Sequence, residues 1–367
     1  MMSFGLSMAS TFDQIALRLG FSARRRAIHH RMARGVHFIG GLLVILPAWP
    51  LLASECLNRP ADQITVVTPG LYDESFETTP LDDFHVYDMR GTEFTANEPI
   101  QPITIKKFLN NVCVVGPRVV GQQSRELTWE EMKHTYDGDG VRFVNKKGGT
   151  VGRVIGEGLW VDNVEDGFEP VRYSRAAGKG YSWTLKSSYF RYIRDDVIEN
   201  DACHPGEVID ILVDNSRTFI SARPSRGKEL ITGDVAPLIK VHDSVIHVGA
   251  ANEGAVSGRG GGRMWKWPGS SSSCDPEPIL EVRDTIFRVD LENKGAMEFP
   301  EGTYENTMLV WLGGGEFPAE VPPGVTVTND IQVWQSARTG WLSRHRCDAN
   351  GDICEDLVAP AAVKQGQ

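Results

Sequence analysis

Side chains that can transfer protons or bind cations are concentrated between Tyr192 and Pro224. The stretch reads YIRDDVIENDACHPGEVIDILVDNSRTFISARP. Its candidate catalytic and binding groups are Asp195, Asp196, Glu199, Asp201, His204, Arg217 and Arg223. Two neighbouring carboxyls can separate their pKa values and serve as acid and base, or they can hold a divalent cation.

An internal repeat predicts the fold that positions these groups. Pro237–Val248 and Pro278–Val289 read PLIKVHDSVIHV and PILEVRDTIFRV, and they match in residue type across twelve positions at an offset of 41 residues. Short strands that recur without crossover helices can stack in parallel only as a β-helix. The sequence therefore predicts an all-β parallel β-helix solenoid with a short helix and long loops. A sandwich or jelly roll is the competing fold, and it would carry hairpin turns every 8–12 residues.

Three columns of polar residues follow when earlier strands are aligned with the repeat. The first column is Glu165, Asp195, Arg217, Asp243 and Asp284. The second is Asp166, Asp196, Thr218, Ser244 and Thr285. The third is Glu169, Glu199, Ser221, His247 and Arg288. Adjacent strands lie about 4.8 Å apart, so this alignment predicts that Asp166 stacks on Asp196.

Asp196 is the first choice for a catalytic acid, with Asp195 and Asp166 beside it. Arg217 and Arg223 would supply the opposite charge on the next coil. The alternative is that the aspartates accept backbone N–H bonds at corners of the coil, as Asp does in turns.

Other candidates also have two interpretations. His204 is either a general base or sugar contact, or a solvated loop residue. Arg223 either binds a carboxylate or forms a structural ion pair. Three tryptophans, predicted on long loops, either stack on sugar rings or close the solenoid: Trp183, Trp265 and Trp267. The loops concerned, Arg172–Tyr189 and Gly249–Pro278, would wall a groove over the acidic patch.

The sequence divides into four segments. Residues 1–54 have the basic, apolar and small-residue order of a signal peptide, and a membrane anchor is the alternative. Residues 55–148 are predicted as an N-terminal extension and first coil or cap, with one helix at Thr128–Tyr136. Residues 149–340 are predicted as the β-helix, ending in strands that include VTVTNDIQVWQS. Residues 341–367 are predicted as a polar tail.

Charge and cysteine content restrict the partners and the compartment. Without residues 1–54 the chain has 32 Lys and Arg against 47 Asp and Glu, a net charge of about −15, which repels nucleic acid and anionic membranes. All six cysteines follow the signal segment, which permits disulfides in an oxidising compartment. Cys347 and Cys354 are the favoured pair because they flank a short polar loop, and free thiols are the alternative. We expect a secreted or periplasmic monomer.

The runs IRDDVIEND and ISARP resemble the right-handed parallel β-helix superfamily that includes pectate lyases and polygalacturonases. They are most similar to exported bacterial β-helix proteins without assigned function, over about Val151 to Asp330. Asp195-Asp196 resembles the paired aspartates of polygalacturonases, whose Gly-His-Gly and Arg-Ile-Lys motifs have no counterpart here. Pectate lyases use Ca²⁺ on carboxylates and an arginine as the base. The resemblance implies that Arg217 or Arg223 would be this base.

These observations predict a protein that binds a polysaccharide, and they leave open whether it also cleaves the chain. Cleavage would follow lyase or glycoside hydrolase chemistry on the face of Asp195 and Asp196, with Ca²⁺ as the one cofactor to consider. Glu199, Arg217 and the three tryptophans would contact substrate. The alternative is a non-catalytic surface-binding or structural β-solenoid.

Overall fold

The computed structural model describes residues 54–80, 83–96, 101–108, 111–127, 138–144, 152–172, 181–224, 229–231, 234–249, 263–268, 273–290 and 297–358. The predicted helix Thr128–Tyr136 lies outside the described residues, and so does the predicted signal segment except for Ser54. Residues 173–180 of the first long predicted loop, and residues 250–262 and 269–272 of the second, also lie outside them.

The repeat describes one strand, a corner and a second strand. In Pro237–Val248, Ile239 and Val241 point into the core from one strand, and Ile246 and Val248 do so from the next. Asp243 forms the corner between them with φ 56°, a left-handed conformation that Asp tolerates better than most residues. The hydroxyl of Ser244 then donates to the carbonyl of His242 at 2.8 Å. This alternation of apolar residues with an Asp-Ser corner explains why the twelve positions recur.

Stacked copies of this unit build three rows of parallel strands. The first row is a nine-stranded sheet: β1 Ile64–Val66, β4 Phe84–Asp88, β7 Asn111–Val115, β10 Gly152–Glu157, β13 Tyr181–Lys186, β15 Gly206–Ile209, β18 Leu238–His242, β22 Ile279–Arg283 and β24 Gly302–Glu305. The second row is β2 Gly70–Tyr72, β5 Thr92–Ala96, β8 Arg118–Gly121, β11 Trp160–Asp162, β14 Tyr189–Glu199, β16 Leu212–Ser221, β19 Val245–Val248, β23 Ile286–Val289, β25 Thr307–Trp311 and β26 Val325–Thr328.

The third row completes each coil. Its own strands are β3 Phe76–Thr78, β6 Ile103–Lys106, β9 Val141–Val144, β12 Phe168–Arg172 and β20 Arg263–Lys266. The C-terminal halves of β14 and β16 also belong to it, because these two long strands turn from the second row into the third. A separate pair, β17 Glu229–Ile231 and β21 Ser273–Asp275, is also parallel. The all-β parallel solenoid predicted from the repeat is confirmed.

The strand register confirms the repeat. Leu238 pairs with Ile279, at the predicted offset of 41 residues. Ile198 pairs with Ile220 and Phe168 pairs with Ile198, so Asp166 and Asp196 are neighbours in the stack.

All three predicted columns are wrong beyond β16. Thr218 and Ser221 pair with Arg263 and Lys266 and not with Ser244 and His247, and the first column fails in the same way after Arg217. Asp243 and Asp284 stack on Asp210 at the corner between the first and second rows, whereas Arg217 follows the corner between the second and third rows. The sequence does not distinguish the two corners, because each has a polar residue before an apolar strand.

Coils of the solenoid begin earlier than the sequence indicated. The strands of residues 64–144 are in register with those that follow, for example Val112 with Val154, so they are coils and not an extension. A short 3₁₀ turn, Ala61–Gln63, precedes them.

The C-terminal segment is helical where strands and a polar tail were predicted. Helix α1, Ile331–Arg344, begins at Asp330, whose carboxylate accepts from the N–H of Gln332 at 3.0 Å. Trp334, Trp341 and Leu342 lie on one face of α1 and are buried on the outside of the second row. The alternation in IQVWQ imitates a strand, but the wider spacing of these apolar residues is helical. A short helix α2, Glu355–Val358, follows.

All six cysteines are paired, as Cys56–Cys113, Cys203–Cys274 and Cys347–Cys354. The predicted Cys347–Cys354 pair is confirmed, and the free-thiol alternative is wrong. Three disulfides in one chain are typical of proteins that fold in an oxidising compartment.

Candidate functional site

Three carboxyls from two adjacent coils meet at the start of the third row. The backbone N–H of Asp196 donates to Oδ1 of Asp166 at 2.8 Å. One oxygen each of Asp166, Asp195 and Asp196 lies within 4.8 Å of the others. We call these three residues the acid cluster. The predicted stacking of Asp166 and Asp196 therefore occurs in the structure.

A bulge in β14 explains how two consecutive aspartates reach one place. Ile193 pairs with Ser216 while Asp196 pairs with Thr218, so β14 has one residue more than β16 between these pairs. In a regular strand Asp195 and Asp196 would point to opposite faces. The extra residue removes that alternation locally.

A lysine closes one side of the acid cluster. Nζ of Lys266 lies 2.8 Å from Oδ2 of Asp196 and 3.6 Å from Oδ1 of Asp195. Arg217 is more distant from Asp195, at 3.9 Å. Lys266 reaches the cluster because Ser221 of β16 pairs with it in β20. The sequence does not predict Lys266 at this site, because WKW follows a glycine- and serine-rich stretch that resembles a loop.

Acidic residues continue along the stack beside the cluster. Asp166 also belongs to a second group of carboxyls, together with Asp139 and Glu199. One oxygen of each of these three residues lies within 4.8 Å of the others. Glu169 stacks next to Glu199 and is held by Nε of Arg142 at 2.5 Å. The site is thus a row of stacked carboxyls, some of which are neutralised by basic side chains.

Burial and mutual repulsion raise the pKa values of these carboxyls. For Asp196, burial and then the charge of Asp195 raise the pKa to about 7, although Lys266 acts in the opposite direction. For Asp166, burial and then Glu199 raise the pKa well above its usual value. Burial and then Glu169 do the same for Glu199. Burial lowers the pKa of Lys266, but the charges of Asp196 and Asp195 outweigh it and the pKa is raised.

Access to the acid cluster is from the side of Asp195. The side chain of Asp195 is 16% exposed, whereas that of Asp196 is 1% exposed. Oδ1 of Asp196 has no hydrogen-bond partner among the described residues. The arrangement offers a buried carboxyl that holds a proton near neutral pH next to a carboxylate that solvent can reach.

His204 is not part of this site. Both of its ring nitrogens lack hydrogen-bond partners within the described part of the chain, and its ring packs edge-on against Tyr181. Burial lowers its pKa to about 4. The interpretation as a solvated loop residue is wrong, because the side chain is fully enclosed.

The positive charge of Arg223 acts on Asp201, a neighbour of the acid cluster. The pKa of Asp201 is raised by burial, while the hydroxyl of Ser221 and the charges of Lys266 and Arg223 lower it. The Ser221 hydroxyl donates to Asp201 at 2.7 Å. Arg223 therefore belongs to the electrostatic surroundings of the cluster.

Two of the three tryptophans are not on loops. Trp183 lies in β13 and Trp265 in β20, and they are 1% and 3% exposed. Their placement as exposed sugar-stacking residues is wrong, because both fill the core. Trp267 follows β20, packs against Trp265 and donates its indole N–H to the carbonyl of Pro278 at 3.2 Å. It is only partly buried.

No family model, curated protein or solved structure matches the chain. In the part of the chain that the structure describes, neither helix combines the length and the apolar character that crossing a membrane demands.

Proposed function

We propose that this protein is an exported right-handed β-helix of the pectin-lyase-like kind that binds a polysaccharide over the acid cluster and cleaves it. The observation that carries the proposal is the meeting of Asp166, Asp195 and Asp196 from adjacent coils, within 4.8 Å of one another. Carboxyls held this closely in unequal surroundings are the arrangement that separates an acid from a base in carbohydrate cleavage.

In this proposal Asp196 is the acid and Asp195 is the nucleophile or the base. With a pKa of about 7, Asp196 carries a proton for part of the time at neutral pH and gives it to the glycosidic oxygen. Asp195 is the more exposed of the two and either attacks the sugar carbon as the leaving oxygen takes the proton of Asp196, giving an ester that water then hydrolyses, or takes a proton from the sugar ring. The first course is hydrolysis, and the second is elimination. Lys266 stabilises the negative charge that remains on Asp196.

The acid cluster also has the chemistry of a Ca²⁺ site. Carboxylate oxygens are the ligands that Ca²⁺ prefers. Burial raises the pKa values of Asp166 and Asp196, and repulsion from neighbouring carboxyls raises them further; a bound cation would relieve that repulsion. Asp166, Asp195 and Asp196 would hold the ion, and it would bridge the protein to an acidic sugar.

A second candidate function is a non-catalytic binding or structural solenoid. The observation that favours it is the closure of Asp196, which is 1% exposed and paired with Lys266 at 2.8 Å. In that case the acid cluster holds coils together, as the backbone bond to Asp166 does.

Export is supported by two independent features. The three disulfides suit an oxidising compartment. Residues 24–54 have the order of a signal peptide. N-terminal sequencing of the exported protein is expected to find a start close to Glu55, and a full-length chain kept in the cytosol would contradict export.

A glycan panel tests the function. Each glycan is assayed for unsaturated product by ultraviolet absorbance and for new reducing ends, with the wild type, Asp195→Asn and Asp196→Asn. The matched control is Asp88→Asn, since Asp88 is also a buried, ion-paired aspartate but lies elsewhere, beside Arg90 at 2.6 Å. Cleavage lost in the two cluster variants and kept in the control supports the enzyme. Binding without product supports the non-catalytic solenoid.

A further inference from the structure

A groove separate from the acid cluster lies beside helix α1. Its volume is about 600 Å³, and it is bounded by α1 on one side and by β14, β16, β19 and β23 on the other. Asp214, Asn215 and His247 contribute from the strands, while Gln335 and Thr339 contribute from α1. None of the three acid-cluster residues lines it. The groove is large enough for one or two sugar rings, since small-molecule sites usually span 300–1,000 Å³.

Four arginines line this groove, and aspartates compensate their charges, although only one of those aspartates, Asp214, lines the groove itself. Each of its four arginines is paired with an aspartate: Arg125 with Asp162 at 2.6 Å, Arg191 with Asp352 at 2.6 Å, Arg288 with Asp290 at 2.6 Å and Arg338 with Asp214 at 2.6 Å. An anionic ligand would meet the Asp214 carboxylate, and a cation would meet the arginines. Because each arginine is already held in an ion pair, the groove favours an uncharged ligand over an anion that would have to displace an aspartate.

Neutral polar groups in the groove have unused hydrogen-bonding capacity. The side chains of Asn215, Gln335 and Thr339 make no hydrogen bond to any residue that the structure describes. An amide and a hydroxyl each donate and accept. The matching ligand group is one that both donates and accepts a hydrogen bond, as a sugar hydroxyl does. An apolar ligand would instead bury these groups unpaired, at a cost in free energy.

The groove also has a rigid shape before any ligand binds. Tyr192 and Asn215 stand at φ 58° and φ 65° in equivalent positions of adjacent coils, where the second row turns into the third. The Tyr192 hydroxyl donates to the carbonyl of Arg125 at 2.5 Å. A left-handed tyrosine is uncommon and is kept only where its surroundings fix it. Preorganisation of this kind lowers the entropy cost of binding.

We propose that the groove between α1 and strands β14, β16, β19 and β23 binds an uncharged sugar unit of a polysaccharide. The inference extends the proposed function, because it adds a second subsite and names the class of sugar that occupies it. Asp195, the exposed member of the acid cluster, is three residues from Tyr192 along β14, so the two Cα atoms are at most about 11 Å apart. One glycan can therefore reach both sites.

Binding of hexasaccharides tests the groove. Cellohexaose, xylohexaose, mannohexaose and hexagalacturonate are titrated into the wild-type protein and followed by calorimetry. Thr339→Trp fills the groove, and Ser343→Trp is the matched control because Ser343 is an exposed position of the same helix outside the groove. Gln335→Ala removes one amide, with Gln332→Ala as its control. Asn215→Gly removes another amide and keeps the left-handed backbone.

We expect at least one neutral hexasaccharide to bind, about tenfold more weakly in Asn215→Gly and without measurable binding in Thr339→Trp. Tighter binding of hexagalacturonate that Thr339→Trp abolishes overturns the assignment to uncharged sugars. Binding that survives Thr339→Trp but is lost in Asp196→Asn overturns the groove alone and leaves the proposed function standing. Binding that depends on the groove but not on Asp195 or Asp196 supports the groove and contradicts the proposed place of cleavage. Absence of binding by every hexasaccharide overturns both.

Discussion

The carboxyl of Asp166 accepts a hydrogen bond of 2.8 Å from the backbone of Asp196, one coil further along the stack. Asp166 therefore has the corner-capping role that was the alternative interpretation of the aspartates. Asp196 differs, because one of its oxygens binds Lys266 and the other has no partner among the described residues. The two stacked aspartates thus have different tasks: Asp166 fixes the backbone of the next coil, and the buried Asp196 binds Lys266.

Two replacements of Asp166 test how much its hydrogen bond to the backbone of Asp196 contributes to stability. Asp166→Ala leaves a buried backbone N–H without an acceptor, and we expect the free energy of unfolding to fall by about 1–3 kcal/mol. Asp166→Asn keeps an acceptor oxygen at the same place, and we expect a smaller loss. Urea denaturation of both variants at pH 7 measures the difference. Equal losses would show that the bond to Asp196 contributes nothing.

The raised pKa of Asp196 predicts how stability depends on pH. The folded protein binds this proton with a pKa of about 7, against a usual value of 3.8, so between these values the folded state holds more protons than the unfolded state. Stability due to Asp196 therefore increases as pH falls from about 8 to about 5, by at most about 1.4 kcal/mol per pH unit. Asp196→Asn should lose this contribution. Melting temperatures of both proteins across that range measure it, and parallel curves would contradict the shift.

His204 predicts the opposite dependence. Its pKa is lowered to about 4 in the folded protein, from a usual value of 6.5, so the unfolded state holds more protons between these values. Stability due to neutral His204 is complete above about pH 6.5 and is lost as pH falls toward 4. His204→Leu cannot take up a proton, and we expect its unfolding free energy to lose less on acidification than that of the wild type. A variant as acid-sensitive as the wild type would refute this.

Lys266 and Lys186 provide a matched pair for testing the charge of the acid cluster. Their side chains are 18% and 15% exposed, and each is paired with a carboxylate, Asp196 and Glu157 respectively. Lys266→Met leaves the cluster without its nearest cation, so we expect a larger drop in melting temperature at pH 8 than for Lys186→Met. Millimolar Ca²⁺ should restore part of that drop for Lys266→Met only, because it supplies the missing positive charge. Equal responses of the two variants to Ca²⁺ would exclude a cluster-specific cation.

The disulfides are expected to contribute more the longer the loop that they close, with a logarithmic dependence on loop length. Cys203–Cys274 spans 71 residues and Cys347–Cys354 spans 7. Chain entropy predicts stabilisation of about 4 kcal/mol for the first and about 2 kcal/mol for the second. Paired Cys→Ser variants of each bridge, compared by guanidinium unfolding, measure this. A larger loss for the short loop would show that contacts within the helix α1 region matter more than chain entropy.

The repeat made the stacked rows predictable, because a twelve-residue match fixes both strands and the corner between them. The proximity of Asp166 to Asp196 followed from the same alignment of the strands. Lys266 could not be predicted, since its approach depends on β20 pairing with β16 across a connection of variable length. The burial of Trp183 and Trp265 could not be predicted from the sequence either, because a glycine- and serine-rich context resembles a loop. Helix α1 was missed because tertiary packing of Trp334 and Trp341 decides that segment.

The equivalence of Leu238 and Ile279 has an evolutionary consequence. A unit that returns the chain to the same row after 41 residues can be copied whole, and every later strand then keeps its row and its inward face. Gene duplication can therefore lengthen this protein one coil at a time and extend its outer faces in steps of about 4.8 Å. An insertion of half a coil would instead shift all subsequent strands to the wrong row. Selection should tolerate growth in whole coils, with sequence drift confined to the connections between the rows.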